Sequence, residues 1–317
     1  MTDATEPLLY AHDMDEVVGS RHRLARDAVA GVLQRVSRGA YIDAAVWRGL
    51  RDRERYRRLV QAVAETRQSR PVFSFWSAAV VHGLPVVGAW PTVAHVSVGA
   101  ANGGRSSGHI VRHVAPLAET DIVEVEGLLV TSVARTLIDM AGLPATLTAV
   151  AMADRALHIE RFGRTPPMTS REALEAAFAA RLPFRTRARV RRVLDFAVEE
   201  ADSVLESVSR FNMRVIGVPQ PTLQHRFDDH LGLIGFSEFY WQDYKLVGES
   251  DGRIKYLDPA YRNGRTLERV LYDEKVRADR LGSLGLRVSR WDWDTALSPE
   301  ALRRHLAAEG LPTGQRW

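Results

Sequence analysis

The chain has 317 residues, 43 Lys+Arg against 39 Asp+Glu for a net charge of +4, 45% hydrophobic residues and no Cys. That length suits two or three domains. The composition excludes a disordered, collagenous or coiled-coil chain, and without Cys there is no disulfide, thiolate-held zinc, iron–sulfur cluster or Cys nucleophile.

The acidic opening, residues 1–6, leads into no apolar run, and no stretch reaches the roughly 18 apolar residues of a membrane span. The expectation is a cytoplasmic protein without a membrane partner. Positive charge is written almost wholly as Arg, with Lys245, Lys255 and Lys275 the only lysines. Residues 20–70 hold thirteen Arg against five acidic residues, a net +8, so the remainder is net acidic. Such asymmetry points to an N-terminal surface for a polyanion. The plainer reading is a solvated helix face, since residues 51–58 mix both signs.

Residues 13–18 read as a short helix ended by Gly19. Ser20 then caps a second helix running to about Ala30, with Gly31 as its stop. Leu24, Ala28 and Val29 share spacing that packs them inward, leaving Arg21, His22, Arg23 and Arg26 largely on other faces. Residues 32–42 read as a short β-ribbon carrying Arg35 and Arg38, with Gly39 at the turn. Helix, turn, basic helix and basic ribbon is the layout of a winged helix-turn-helix, whose second helix enters the major groove while the wing touches backbone. The candidate DNA contacts are therefore Arg21, His22, Arg23, Arg26, Arg35 and Arg38. Residues 47–68 read as one long amphipathic helix, since Leu50, Tyr56, Leu59, Val60 and Val63 recur at helical spacing.

Short strands and turns follow from Pro71 to Val130, with 90–98 the clearest strand. His109 and His113 have metal-like spacing for a helix, but their β-branched neighbours favour a strand, where they stand roughly 13 Å apart. Residues 131–157 read as helix, 165–167 as linker and 170–180 as helix. The six Arg of 181–192, followed by Glu199, Glu200 and Asp202, mark a boundary near 200. The expected organisation is a winged helix-turn-helix over 1–46, a mixed middle segment over 47–160, a helical linker over 161–200, and an α/β domain over 201–317. The class overall is α/β in the broad sense, mixed α+β.

From Asp202 the pattern is α-β-β-β-α-β. Glu238 sits mid-strand. Glu249 and Asp251 lie two residues apart on the next strand and so share a face, and Lys255 follows. Three carboxylates on adjacent strands beside a Lys suit Mg²⁺ and phosphodiester chemistry: the carboxylates hold the hard cation, which activates water and neutralises charge on the transferring phosphate. The Lys stabilises the developing oxyanion or helps deprotonate the water. Glu238, Glu249 and Asp251 are the candidate metal ligands. Glu206, Glu238, Glu249, Asp251 and Lys255 are the candidate catalytic set. Each also has a structural reading. Asp251-Gly252 is an ordinary turn pair, Glu238 suits the outward side of a half-solvated strand, and Ser203-Val-Leu-Glu206 fits a capping box.

Residues 21–41, with Val32-Leu-Gln-Arg-Val-Ser-Arg-Gly-Ala-Tyr41, resemble the N-terminal winged-helix domain of the AbiEi-type antitoxins of type IV toxin–antitoxin systems. Ser77-Ala-Ala-Val-Val-His-Gly-Leu-Pro85, His95-Val-Ser-Val98 and Thr131-Ser-Val-Ala-Arg-Thr-Leu-Ile-Asp139 resemble the segment that follows it in actinobacterial relatives. Val247-Gly-Glu-Ser-Asp-Gly-Arg-Ile-Lys-Tyr256, Asp273-Glu-Lys-Val-Arg-Ala-Asp-Arg280 and Val288-Ser-Arg-Trp-Asp-Trp293 are similar to a Vsr-like, restriction-endonuclease-fold domain. The resemblance implies a protein that binds operator-like double-stranded DNA, represses its own promoter, and has a nucleotidyltransferase-like toxin encoded nearby. It places Glu238 where the nuclease fold usually has Asp, Glu249 at the first acid of the later motif, and Asp251 where many nucleases have Lys, with Lys255 standing in. Three functions compete: a DNA-binding regulator needing no cofactor, a Mg²⁺-dependent endonuclease targeted by the N-terminal domain, and a protein-interaction module. Nothing in the sequence decides oligomeric state.

Overall fold

The computed structural model describes residues 7–13, 20–99, 108–161, 163–181, 184–250 and 266–315. The chain is mixed α+β and divides into two compact units, residues 1–152 with 169–195, and residues 153–168 with 196–317. No helix among the described residues is long and apolar enough to cross a membrane.

The first unit opens with β1 (Leu9–Tyr10), α1 (Ser20–Val29), β2 (Leu33–Ser37) and β3 (Ala40–Asp43). These strands form an antiparallel sheet in the order β1-β3-β2. The expected helix over 13–18 falls mostly on residues outside the described set. The single helix expected over 47–68 is two, α2 (Ala44–Gly49) and α3 (Asp52–Glu65). Two caps explain the break. Asp43 Oδ1 accepts from the Ala45 and Val46 amides at 2.7 and 3.0 Å, starting α2 early. The Arg51 amide donates to Glu54 at 2.8 Å, starting α3 afresh.

Next come β4 (Val72–Phe73), α4 (Phe75–His82), β5 (Ala94–Val98), β6 (Ile110–Val114), β7 (Ile122–Val125) and β8 (Leu128–Thr131). They form a five-stranded sheet in the order β6-β5-β4-β8-β7, parallel at β5–β6 and β4–β8. The helix expected over 131–157 is also divided, into α5 (Val133–Ala141) and α6 (Thr146–Leu157). Pro144 lies in the gap and disfavours helix at Leu143. The unit closes with α7 (Arg171–Ala180) and α8 (Arg187–Phe196). The sequence set 1–46 apart from 47–160. In the structure Val36, Ala40 and Ile42 share one core with Tyr56, Leu59 and Val60 of α3 and with Phe73, Val96 and Val130 of the sheet. A ribbon this short cannot bury its own apolar face, so it packs on α3.

The second unit holds α9 (Val204–Ile216), β9 (Thr222–Asp229), β10 (Gly232–Trp241), β11 (Leu246–Ser250), α10 (Leu267–Ser283), β12 (Arg287–Trp291), α11 (Trp293–Leu297) and α12 (Pro299–Ala308). The α-β-β-β-α-β order through β12 follows the sequence pattern. The sheet runs β12-β11-β10-β9, antiparallel except for β11–β12. Val247, Phe227 and Leu281 of α10 form one core cluster. On β12, Trp291 Nε1 donates to Ser209 Oγ of α9 at 2.8 Å. Gly248 is required between Trp241 and Trp291, because a Cβ there would meet their rings at 2.9 and 2.7 Å. The unit also buries an ion pair, with Arg210 Nη2 2.9 Å from Asp154 and the Val198 amide donating to the same carboxylate at 2.9 Å. Burial still outweighs these contacts and pushes the Asp154 carboxyl above its usual range.

Candidate functional site

In the second unit Glu206 lies in the first turn of α9. Ser203 Oγ caps that helix by accepting from the Glu206 amide at 3.1 Å. The Glu206 carboxylate turns back to accept from the Asp202 amide at 3.1 Å and from Gln224 Nε2 at 2.9 Å. The capping geometry read from Ser203 and Glu206 forms, shifted one residue upstream on the return bond. The side chain is buried, and burial first, then repulsion from the Glu238 carboxylate, push Glu206 up to about 8. Glu206 therefore keeps its proton at neutral pH.

Glu238 on β10 accepts from the Ser250 amide at 2.6 Å and also from the Ser250 hydroxyl. Glu249 on β11 has both carboxylate oxygens engaged, one by Arg277 and the other by Arg290 Nε at 3.0 Å. Asp251 and Lys255 lie outside the described residues. The structure thus brings Glu206 and Glu238 together, while Glu249 is neutralised by two guanidinium groups. Among the described residues no three His, Asp or Glu side chains cluster as metal ligands. A hard divalent cation takes oxygen ligands. Glu206 and Glu238 fit one edge of such a site, since a cation there would offset the burial and the Glu238 charge that keep Glu206 protonated. The Glu249 ion pairs do not fit one.

In the first unit the candidate DNA contacts are distributed over α1 and the β2–β3 ribbon. His22, Arg23 and Arg26 are exposed on α1, and the side chain of Arg21 lies outside the described residues. Leu24 is buried and Ala28 half-buried, as spacing predicted, but Val29 is 91% exposed. It sits in the last turn of α1, just before Gly31 turns the chain away at φ 77°. Arg35 and Arg38 are exposed on the ribbon, with Gly39 at φ 79° making the tight turn between strands. Arg23 pairs loosely with Asp27 at 3.7 Å, and Arg35 Nε donates to the Ser37 carbonyl at 3.3 Å. Among the described residues no carboxylate pairs with Arg26, Arg35 or Arg38.

A third cluster was not read from the sequence. His95 of β5 and His113 of β6 are joined, Nδ1 to Nε2, at 2.9 Å. The His113 ring stacks on Phe75 with centroids 3.8 Å apart. Burial pushes both imidazoles down to about 4, and at His95 the neighbouring His113 adds to it. Both rings are therefore neutral at pH 7, one donating and one accepting. Along the chain, spacing pairs His113 with His109. The partner of His113 instead comes from the parallel neighbour strand, where register sets Ser97 opposite His113 and His95 diagonal to it. Only that register reveals the pair.

No family model matches the chain. Two curated proteins of Mycobacterium tuberculosis, one from each of two strains and both uncharacterized, are 31% identical to it over 136 residues, 43% of this chain. The matched region is 48% of each relative, so the chain spans about half the length of the curated relatives it matches.

Proposed function

We propose that the protein is a cytoplasmic DNA-binding transcriptional regulator of the type IV antitoxin kind, with α1 and the β2–β3 ribbon as its DNA-contacting surface. The observation that carries this reading is the set of exposed arginines, Arg26, Arg35 and Arg38, that no described carboxylate neutralises. Many arginines of the second unit stand opposite a carboxylate, whereas three left open on α1 and the ribbon suit an external polyanion. The cognate toxin proposed for such a regulator is a nucleotidyltransferase-like protein. The test is binding of duplex DNA across a salt series. The log–log slope should be about −0.9 per phosphate contacted, and Arg35→Glu with Arg38→Glu should weaken binding on all sequences. Binding unchanged by that double variant would remove the ribbon from the interface.

A second reading is favoured by one observation, the apposition of Glu206 and Glu238. Under it, the second unit is a Mg²⁺-dependent endonuclease domain in which Glu238 and Asp251 would hold the cation. The cation would supply an activated water and charge neutralisation at the phosphate. Glu206 would supply or withdraw a proton near neutral pH, where its raised pKa poises it. Plasmid cleavage with Mg²⁺ or Mn²⁺, lost in Glu238→Gln and Asp251→Ala, would support this reading. No cleavage, or equal cleavage in the variants, removes it.

A further inference from the structure

A cavity of about 720 Å³ opens in the first unit beside the turn of the β2–β3 ribbon. Its wall includes His12, Ser37, Arg38, Thr66, Arg67 and His109. The rest of the described lining is apolar or glycine, and none of it is acidic. Two Arg and two His residues thus line one space. His12 has Asp13 beside it at 3.2 Å, but among the described residues no carboxylate pairs with Arg38 or Arg67. Ser37 is 3% exposed and, among the described residues, its hydroxyl has no hydrogen-bond partner. Buried hydroxyls are nearly always bonded, and this one belongs to a residue of the cavity wall. The volume lies within the range of small-ligand sites, about 300–1,000 Å³. Two arginines lining one cavity without an acid among the described lining favour phosphate, whose oxygens match the guanidinium fork.

We propose that this cavity is a phosphate-binding site, formed by Arg38 from the ribbon and Arg67 from the segment after α3, with His12 and His109 on its rim. The phosphate belongs either to a small phosphorylated molecule of nucleotide size or to the DNA backbone. Arg38 serves both this cavity and the proposed DNA surface, so a small ligand in the cavity withdraws one DNA contact. The cavity itself does not depend on the DNA reading, because Arg67 and His109 lie outside the elements assigned to DNA.

The experiment titrates the full-length protein with inorganic phosphate, pyrophosphate and AMP by calorimetry, and separately with duplex DNA by anisotropy. Both titrations compare wild type with Arg67→Met, which keeps the apolar stem, and with Arg67→Lys, which keeps the charge. A small-molecule source predicts that pyrophosphate or AMP binds wild type, at least tenfold more weakly Arg67→Met, and with partial recovery in Arg67→Lys. AMP should then also weaken duplex binding. A DNA source predicts no small-molecule binding but a loss of duplex affinity in Arg67→Met, with the salt slope shallower by about 1. If no probe binds and duplex affinity is the same in Arg67→Met, the proposal is overturned. Binding of a probe equally to wild type and Arg67→Met overturns it as well. Failure of wild-type protein to bind any duplex would sink the regulator reading while leaving the calorimetric arm to decide the cavity.

Discussion

The arginines of the β2–β3 ribbon and those of the second unit differ in what stands opposite the guanidinium. In the second unit Arg277 and Arg290 share Glu249, Arg280 pairs with Asp229, Arg287 with Glu309 at 2.9 Å, and Arg210 with buried Asp154. On the ribbon, among the described residues, Arg35 reaches a backbone carbonyl and Arg38 meets no carboxylate. One residue type therefore has two roles. Where a carboxylate is supplied, the pair holds the fold. Where none is supplied, charge remains for something outside. Formal net charge hides this, because +4 is the sum of a strongly basic stretch and a net acidic remainder.

Variants at the two kinds of arginine should separate stability from binding. The largest effect is expected at Arg210→Met. It leaves Asp154 buried without its cation, a loss of about 3–5 kcal/mol by the behaviour of broken buried pairs. Urea unfolding of the second unit should shift accordingly, and adding Asp154→Leu should recover much of it. A shift of a few tenths of a kcal/mol would mean that water already solvates the pair. Arg35→Glu with Arg38→Glu should behave oppositely. Surface changes of this kind move stability by about 0.5 kcal/mol or less, yet duplex affinity should fall and the salt slope become shallower by about 1 per residue. Equal stability losses at the two sites would erase the distinction.

The carboxylates sharpen the same contrast through pH. Glu206 in the folded protein holds its proton up to about 8, whereas an unfolded chain releases it near 4.5. Across that window the unfolded state binds fewer protons, so Glu206 makes stability fall as pH rises from about 4.5 to about 8. Glu206→Gln should flatten this dependence in thermal melts. A variant that keeps the wild-type slope would place the titration elsewhere. The smallest expected effect concerns His95 and His113. Their pKa values, pushed down to about 4, make the unfolded chain bind more protons below 6.5. Their contribution is present at neutral pH and lost as pH falls through about 4. His95→Gln should therefore flatten the acid limb of the stability profile, and an unaltered limb would contradict the neutral pair.

Much of the second unit was legible because its strands and helices are bounded by local signals. Ser203 and Thr266 cap helices, Gly217 ends α9 at φ 68°, and Pro219 and Pro221 precede β9. The first unit was harder. The apolar spacing continues from 47 to 63 across a real helix break, since caps at Asp43 and Arg51 override it. Its domain boundary was obscured because the ribbon completes its core with residues from a later sheet. At the candidate sites, spacing placed Glu238 and Glu249 on adjacent strands. It could not reveal that Arg277, from α10, and Arg290, from β12, converge on Glu249, nor that Ser250 donates twice to Glu238. Those are contacts between distant segments, and periodicity carries no trace of them.

The central claim is that arginines left without carboxylates on the ribbon are there for DNA. Duplex anisotropy between 50 and 200 mM salt, on wild type and the Arg35→Glu, Arg38→Glu double variant, tests it most directly. The prediction is salt-sensitive wild-type binding, and in the variant weaker binding with a slope shallower by about 2 while the urea midpoint stays unchanged. Equal affinity and equal slope in the two proteins would contradict it.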